Sequence, residues 1–241
     1  MNALDRTLRE VLIGRQPILD LQQELVGYEL LFRTPDCADA CRASDCRSAA
    51  TAGVVCSAFA ELGIGAALGP YKAYINTDER FILDDALELL PPQSVVLELD
   101  FTSVPDGELL ARCRALRDRG YTLALSRYTG LDDRAAALLP LVGIVKIDLI
   151  AVGDELPALA GALTRLPLKL LAEKVETREQ MAHCKSLGFH CFQGYYFAKP
   201  TVVSGRQLSA SQLGIIRLIN LVAREAELLE LEESFKREPG L

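Results

Sequence analysis

Seven polar residues each stand near the end of a short apolar run. They are Glu29 in LVGYELLFR, Asn76 in KAYINT, Glu98 in SVVLELD, Ser126 in YTLALS, Lys146 in GIVKIDL, Glu173 in LKLLAEKV and Gln193 in CFQGYYF. A lone acid in such a place is ordinarily a solvated rim residue, and an amide there ordinarily satisfies turn backbone. Lys146 resists that reading because it lies between Val145 and Ile147, and Glu173 resists it because it follows LKLLA. Recurrence of polar residues at corresponding places of successive runs describes one oxygen-rich cup. Carboxylate and amide oxygens are the ligands that hard divalent cations take. Two such ions about 4 Å apart activate a water and neutralise the charge developing on a phosphodiester. A lysine at the same rim would orient that water or contact phosphate.

The elements that must position these residues alternate along the chain. Strand-like runs at 72–77, 94–100, 121–126, 143–149, 168–175 and 191–197 are separated by helix-like segments at about 78–89, 106–119, 132–139, 154–165 and 177–187. Several helices open on an N-cap or first-turn acid, such as Asp106, Asp154 and Thr177 with Gln180 three residues on. Two earlier runs, LIGRQPILD (12–20) and LVGYELLFR (25–33), lie too close together to hold a helix between them and predict an antiparallel hairpin. A helix at about 45–62 follows. Strands linked by crossover helices make a parallel sheet, and about eight strands over some 200 residues fit a closed barrel. The expected fold is therefore α/β: an irregular TIM-type (β/α)8 barrel with an antiparallel first strand pair, plus C-terminal helices. An open doubly wound sheet is the alternative. The barrel is expected over residues 1–200. Residues 201–241 form a tail whose Leu213, Ile216, Leu218, Ile219, Leu221 and Val222 make a helical stripe.

Composition narrows the partners. The net charge is −7 with no lysine- or arginine-rich run, which disfavours direct binding to a nucleic-acid backbone. There is no apolar span of membrane length and no apolar signal core at the N-terminus, so the chain reads as soluble and cytoplasmic. Seven cysteines without a secretion signal point to reduced thiols. Cys37, Cys41 and Cys46 lack a standard zinc spacing, and Cys184 and Cys191 read as small buried thiols. GIGAALG follows a helix rather than a strand, so it reads as a helix-ending turn and not as a dinucleotide fingerprint.

RQPILDLQQELVGYELLFR resembles the opening of the EAL family of cyclic di-GMP phosphodiesterases, with ELLFR in place of E-A-L-x-R. INT, LELD, VKID, AEKVET and FQGYYFAKP follow in the family's order, over roughly residues 10–200. The form RQPI…GYELLFR with the tail from about 201 most resembles the branch in which an EAL domain precedes an HDOD domain, of which this tail would be the first helices. The resemblance implies metal-ligand roles for Glu29, Asn76, Glu98 and Glu173, and a water- or metal-site role for Lys146. It also implies a supporting contact for Gln193, with Gln16 and Arg33 facing the dinucleotide.

The chain departs from that pattern at β-run YTLALS. The family's D-D-F-G-T-G is replaced by Ser126, Arg127 and Tyr128, followed by Thr129-Gly130, so two metal-binding carboxylates are gone. Phe101 replaces the second acid of E-x-x-E, and Lys174 stands where glycine is usual. An inward-pointing Arg127 would oppose a divalent ion about 5 Å away by roughly 6–7 kcal/mol at an effective dielectric near 20. The expectation is a non-catalytic EAL-like signalling module that acts through a protein partner or its own HDOD domain, with the metal set unoccupied and Lys146 a remnant. A metal-independent cyclic di-GMP receptor using Gln16, Arg33, Arg127 and Gln193 is the alternative. A residual phosphodiesterase, with Mg2+ or Mn2+ and ligands such as Asp132 or Asp133, is the third reading. Pairing of two copies through the barrel is compatible with all three.

Overall fold

The computed structural model describes residues 10–33, 55–56, 59, 68–197 and 201–206. Two long strands, β1 (Glu10–Asp20) and β2 (Leu25–Arg33), form the antiparallel hairpin that their close spacing requires. From β2 onward every neighbour is parallel: β3 (Lys72–Thr77), β4 (Val95–Leu99), β5 (Thr122–Leu125), β6 (Ile144–Asp148), β7 (Lys169–Glu173) and β8 (Cys191–Phe192). The ring closes where β8 meets β1 antiparallel through Leu19↔Phe192 and Asp20↔Cys191. The expected irregular barrel is therefore the observed fold.

A ninth strand, β9 (Thr201–Arg206), pairs antiparallel with the first half of β1, from Glu10↔Arg206 to Arg15↔Thr201. No strand was expected there, because TVVSGR reads equally well as the entry to the tail. The C-terminal helices and most of the helix expected at 45–62 lie outside the described residues.

Most crossover helices follow the sequence signals, but the one expected at 154–165 starts at Leu156 without a side-chain cap, behind a 3-10 turn at Gly153–Glu155 that holds Asp154 and a short unexpected helix at Leu149–Val152. They are α1 (Glu79–Leu83), α2 (Gly107–Asp118), α3 (Asp133–Leu138), α4 (Leu149–Val152), α5 (Leu156–Leu163) and α6 (Arg178–Ser186). Asp106 and Asp132 accept from the backbone N–H three residues on, and Thr177 with Gln180 completes a reciprocal capping box. One expected helix, 78–89, divides at Asp84, whose side chain accepts from Ala86 N and starts a 3-10 turn at Asp85–Leu89.

Because side chains alternate across a strand, the barrel interior is built in layers of every second residue. One layer comprises Ile18, Tyr74, Val96, Ala124, Ile144 and Leu171, all buried. Gly27 belongs beside it: a Cβ there would lie 2.8 Å from the Tyr74 ring and 2.7 Å from Lys72 O, so only glycine lets that ring fill the barrel. The larger apolar core lies outside the strands, under the helices, and includes Ile75, Leu97, Leu125, Val145, Leu170, Leu109, Leu138, Leu163 and Met181.

Candidate functional site

Two residues further along each strand from the apolar layer stands the cup. Tyr74 leads to Asn76, Val96 to Glu98, Ala124 to Ser126, Ile144 to Lys146 and Leu171 to Glu173, so the same alternation that fills the barrel raises these side chains into one ring. From the antiparallel β1, Gln16 is paired in register with Glu29 of β2. Gln193 follows β8 directly.

Lys146 is the centre of the ring. Its ammonium lies 2.6 Å from Glu98 Oε1, 3.1 Å from Glu29 Oε2 and 3.0 Å from Glu173 Oε1. The ammonium donates to Glu29 and Glu98 and forms an ion pair with Glu173. Burial alone would push the Lys146 ammonium's pKa down, but Glu173, Glu29 and Glu98 overcome it and hold the pKa well above the usual value. Glu29 also accepts from Asn76 Nδ2 at 2.8 Å and from Gln193 Nε2 at 2.6 Å, and the same Gln193 nitrogen reaches Gln16 Oε1 at 3.1 Å.

The acids are not equivalent. Burial raises the Glu29 carboxyl, but Lys146 and the amide donors of Gln193 and Asn76 together bring it down to about 2. Glu98 has Lys146 as its sole donor and its Oε2 has no protein partner. Burial, reinforced by the neighbouring Glu29 charge, pushes it up to about 8. Of the two, Glu98 therefore gives up its proton the less readily. Asn76 Oδ1, Ser126 Oγ and Gln193 Oε1 are likewise buried without a hydrogen-bond partner.

A second tier lies above the cup, and sequence reasoning missed its construction. Asp100 and Asp148 sit two residues beyond Glu98 and Lys146, in the inward-facing row of their strands. Arg127, just after Ser126, forms a two-contact ion pair with Asp100. Lys174, just after Glu173, places Nζ 2.6 Å from Asp148 Oδ2. Both cations have left-handed backbone, with φ of 52° and 60°. Arg134 braces the first pair from beneath by donating to Phe101 O at 3.1 Å and to Arg127 O at 2.9 Å. Gly194 fixes the other side: a Cβ there would fall 2.1 Å from Val175 O, so glycine alone lets β8 press against the turn after β7.

Seven of the residues expected in the site, Gln16, Glu29, Asn76, Glu98, Lys146, Glu173 and Gln193, meet in one group joined by hydrogen bonds and ion pairs. Ser126 joins their ring without a bond to them. Arg127 turns instead to Asp100, so it does not drive its charge into the carboxylate cluster. The side chain of Arg33 lies outside the described residues. The positive φ at Lys174 was legible in principle, since a left-handed site is where glycine is ordinarily found.

The EAL domain model matches residues 76–200, more than half of the chain. The chain belongs to the EAL domain family. It is 30% identical over 236 residues to the cyclic di-GMP phosphodiesterase CdgJ of Vibrio cholerae, spanning 94% of this chain and 53% of that protein. It is also 30% identical over 222 residues to the uncharacterized protein YuxH of Bacillus subtilis, spanning 89% of this chain and 53% of that protein. This EAL chain thus spans about half the length of the curated relatives it matches. Among solved structures, the manganese and cyclic di-GMP complex of BlrP1 from Klebsiella pneumoniae superposes with a TM-score of 0.62 at 22% identity, covering 86% of this chain and 59% of that one. A standalone EAL protein of Vibrio cholerae bound to cyclic di-GMP gives 0.58 at 22% identity, covering 82% and 94%. Both share the EAL barrel fold.

Proposed function

We propose that this EAL domain is a non-catalytic signal-transduction module that has lost phosphodiesterase chemistry. The observation that carries the reading is the end of β5. That strand contributes to the ring a buried hydroxyl, Ser126, and no carboxylate, while the next side chain is engaged with Asp100. Three carboxylates remain, each paired with the one lysine. Two dications would add four positive charges to a cluster whose formal charge is already only −2. The donor set does not fit a dinuclear centre.

The module would pass its signal by protein contact, to a partner or to an HDOD region of its own chain. Incubation with cyclic di-GMP and Mg2+ or Mn2+, followed by chromatography of the nucleotides, tests this. Intact ligand is expected, and metal-dependent linear product would refute the reading.

A second reading, metal-independent recognition of cyclic di-GMP, is favoured by the polar ring itself. Gln16 and Gln193 are already joined, and four buried oxygens in the ring have no protein donor. Buried polar atoms without partners cost about 1–3 kcal/mol each, and a ligand or ordered water would satisfy them.

A further inference from the structure

Strand β1 is met twice along one edge by the end of the barrel sequence. Cys191 and Phe192 pair with Asp20 and Leu19, and Thr201–Arg206 pairs with Arg15–Glu10. The two pairings are out of register. Extending the β8 register up β1 would set residue 196 opposite Arg15, but Thr201 stands there, so five residues (201 less 196) are looped out between them. The loop is anchored at its start: Val175 N donates to Gln193 O at 3.0 Å, and Tyr196 N donates to Val175 O at 3.1 Å.

The β1–β2 ladder breaks at the same height. Its register shifts between Ile18, which pairs with Gly27, and Leu19, which pairs with Leu25. A bulge of this kind bends a strand and interrupts its ladder. β1 is thereby divided: Leu19 and Asp20 belong to the barrel seam, while the arm Glu10–Ile18 belongs to β2 and β9. Pairing of β2 with β3 ends at Leu30↔Ile75. Leu31–Arg33, Glu10–Gly14 and Val202–Arg206 therefore continue past that ladder as a three-stranded antiparallel rim sheet.

Gln16 lies at the base of this sheet. It adjoins Arg15, the partner of Thr201, and its Oε1 accepts from Gln193 Nε2 at 3.1 Å. At the far end β9 leads from Arg206 into residues 207–241. One hydrogen-bonded sheet thus connects the chain after Arg206 with the amide bridge of the polar ring.

We propose that the rim sheet is a lever. Displacement of the chain beyond Arg206 tilts β9 and the upper arm of β1 about the bulge, and Gln16 makes or breaks its bond to Gln193. The ring with its amides joined and the ring with them parted are the two states between which the lever selects. The inference rests on the reading of the chain as a signalling module, for which it supplies the route from an attached region to the ring. It does not depend on whether a ligand is bound or cut.

The test is proline substitution in β9 of the full chain, Val202→Pro and Val203→Pro separately. Backbone N–H groups of an edge strand alternate between the neighbouring strand and solvent, and among the described residues β1 is the sole strand neighbour of β9. One proline therefore removes a ladder donor and the other does not, so each variant is the other's control. Nuclear magnetic resonance reads amide hydrogen exchange in β9 together with the Gln193 side-chain NH2 signals. The disruptive proline should speed β9 exchange about tenfold or more, and the Gln193 signals should move in every variant whose β9 exchange rises. Exchange in β4–β6 should stay at the parent's rate, which separates the lever from a general loss of stability. Faster β9 exchange with unmoved Gln193 signals would overturn the lever, as would unchanged β9 exchange in both variants. Metal-dependent cleavage of cyclic di-GMP by the parent would refute the non-catalytic reading and leave the lever intact.

Discussion

Replacing Lys146 by methionine removes the one cation that three buried carboxylates share, while keeping a side chain of similar length. Lys146 and Glu98 side chains are each 1% exposed, Glu29 is 5% and Glu173 14%, so water cannot enter freely to take over the ammonium's role. Breaking a buried pair by removing one partner typically costs about 3–5 kcal/mol. Here three acids lose their partner, which places the loss at or beyond the upper end of that range. Against a typical stability of about 5–15 kcal/mol, the variant should be marginal but measurable. The assay is urea unfolding followed by far-ultraviolet circular dichroism, in EDTA at pH 8 and at pH 5.5. The pH comparison has a fixed sign. Carboxylates deprived of their counter-ion have folded pKa values above the unfolded ones, so the stability tied to their protonated forms is present at low pH and lost as pH rises. The deficit relative to the parent should therefore shrink at pH 5.5. A deficit below about 1 kcal/mol at pH 8, or one that grows on acidification, would refute the placement of Lys146 as sole counter-ion.

Three further outcomes are expected. Glu98, held up to about 8 mainly by burial, contributes stability that is present below the usual carboxylate range and lost as pH rises through about 8. Urea titrations of Glu98→Gln should accordingly show a flatter stability profile than the parent between pH 6 and pH 9. Gly194→Ala should be strongly destabilised, by about 3 kcal/mol or more, because the new methyl would meet Val175 backbone rather than a movable side chain; a melting temperature within a degree of the parent would contradict it. Ser126→Asp should regain a metal response, its melting temperature rising with Mn2+ as a ligand bound at 100 times its Kd adds about 2.7 kcal/mol. The parent should show no such rise, and an equal rise in both would contradict the account of β5.

Much of the site was legible because alternation is a local property. A polar residue that ends an apolar strand two positions beyond an inward-facing side chain must itself face inward, so Glu98, Ser126, Lys146 and Glu173 were identifiable from their runs. The helix caps at Asp106, Asp132 and Thr177 are equally local, since each bond spans three residues. The upper tier was not legible, because Arg127 and Asp100, or Lys174 and Asp148, are partners only through the order of strands around the ring. The uneven acidity of Glu29 and Glu98 depends in the same way on which amides converge from β3 and the end of β8. Strand β9 declares itself only by pairing with β1.

The closure of the ring has a kinetic meaning. Among the described residues, only Leu19↔Phe192 and Asp20↔Cys191 pair the last strand of the circle with the first, and these residues come from opposite ends of the barrel sequence. Contacts of such long sequence separation are entropically slow to form, and a joint of two residue pairs should also be among the first to open. The amide bridge from Gln193 to Gln16 and Glu29 spans this joint. Any partner that pries β1 from β8 would consequently dismantle the polar ring without touching it.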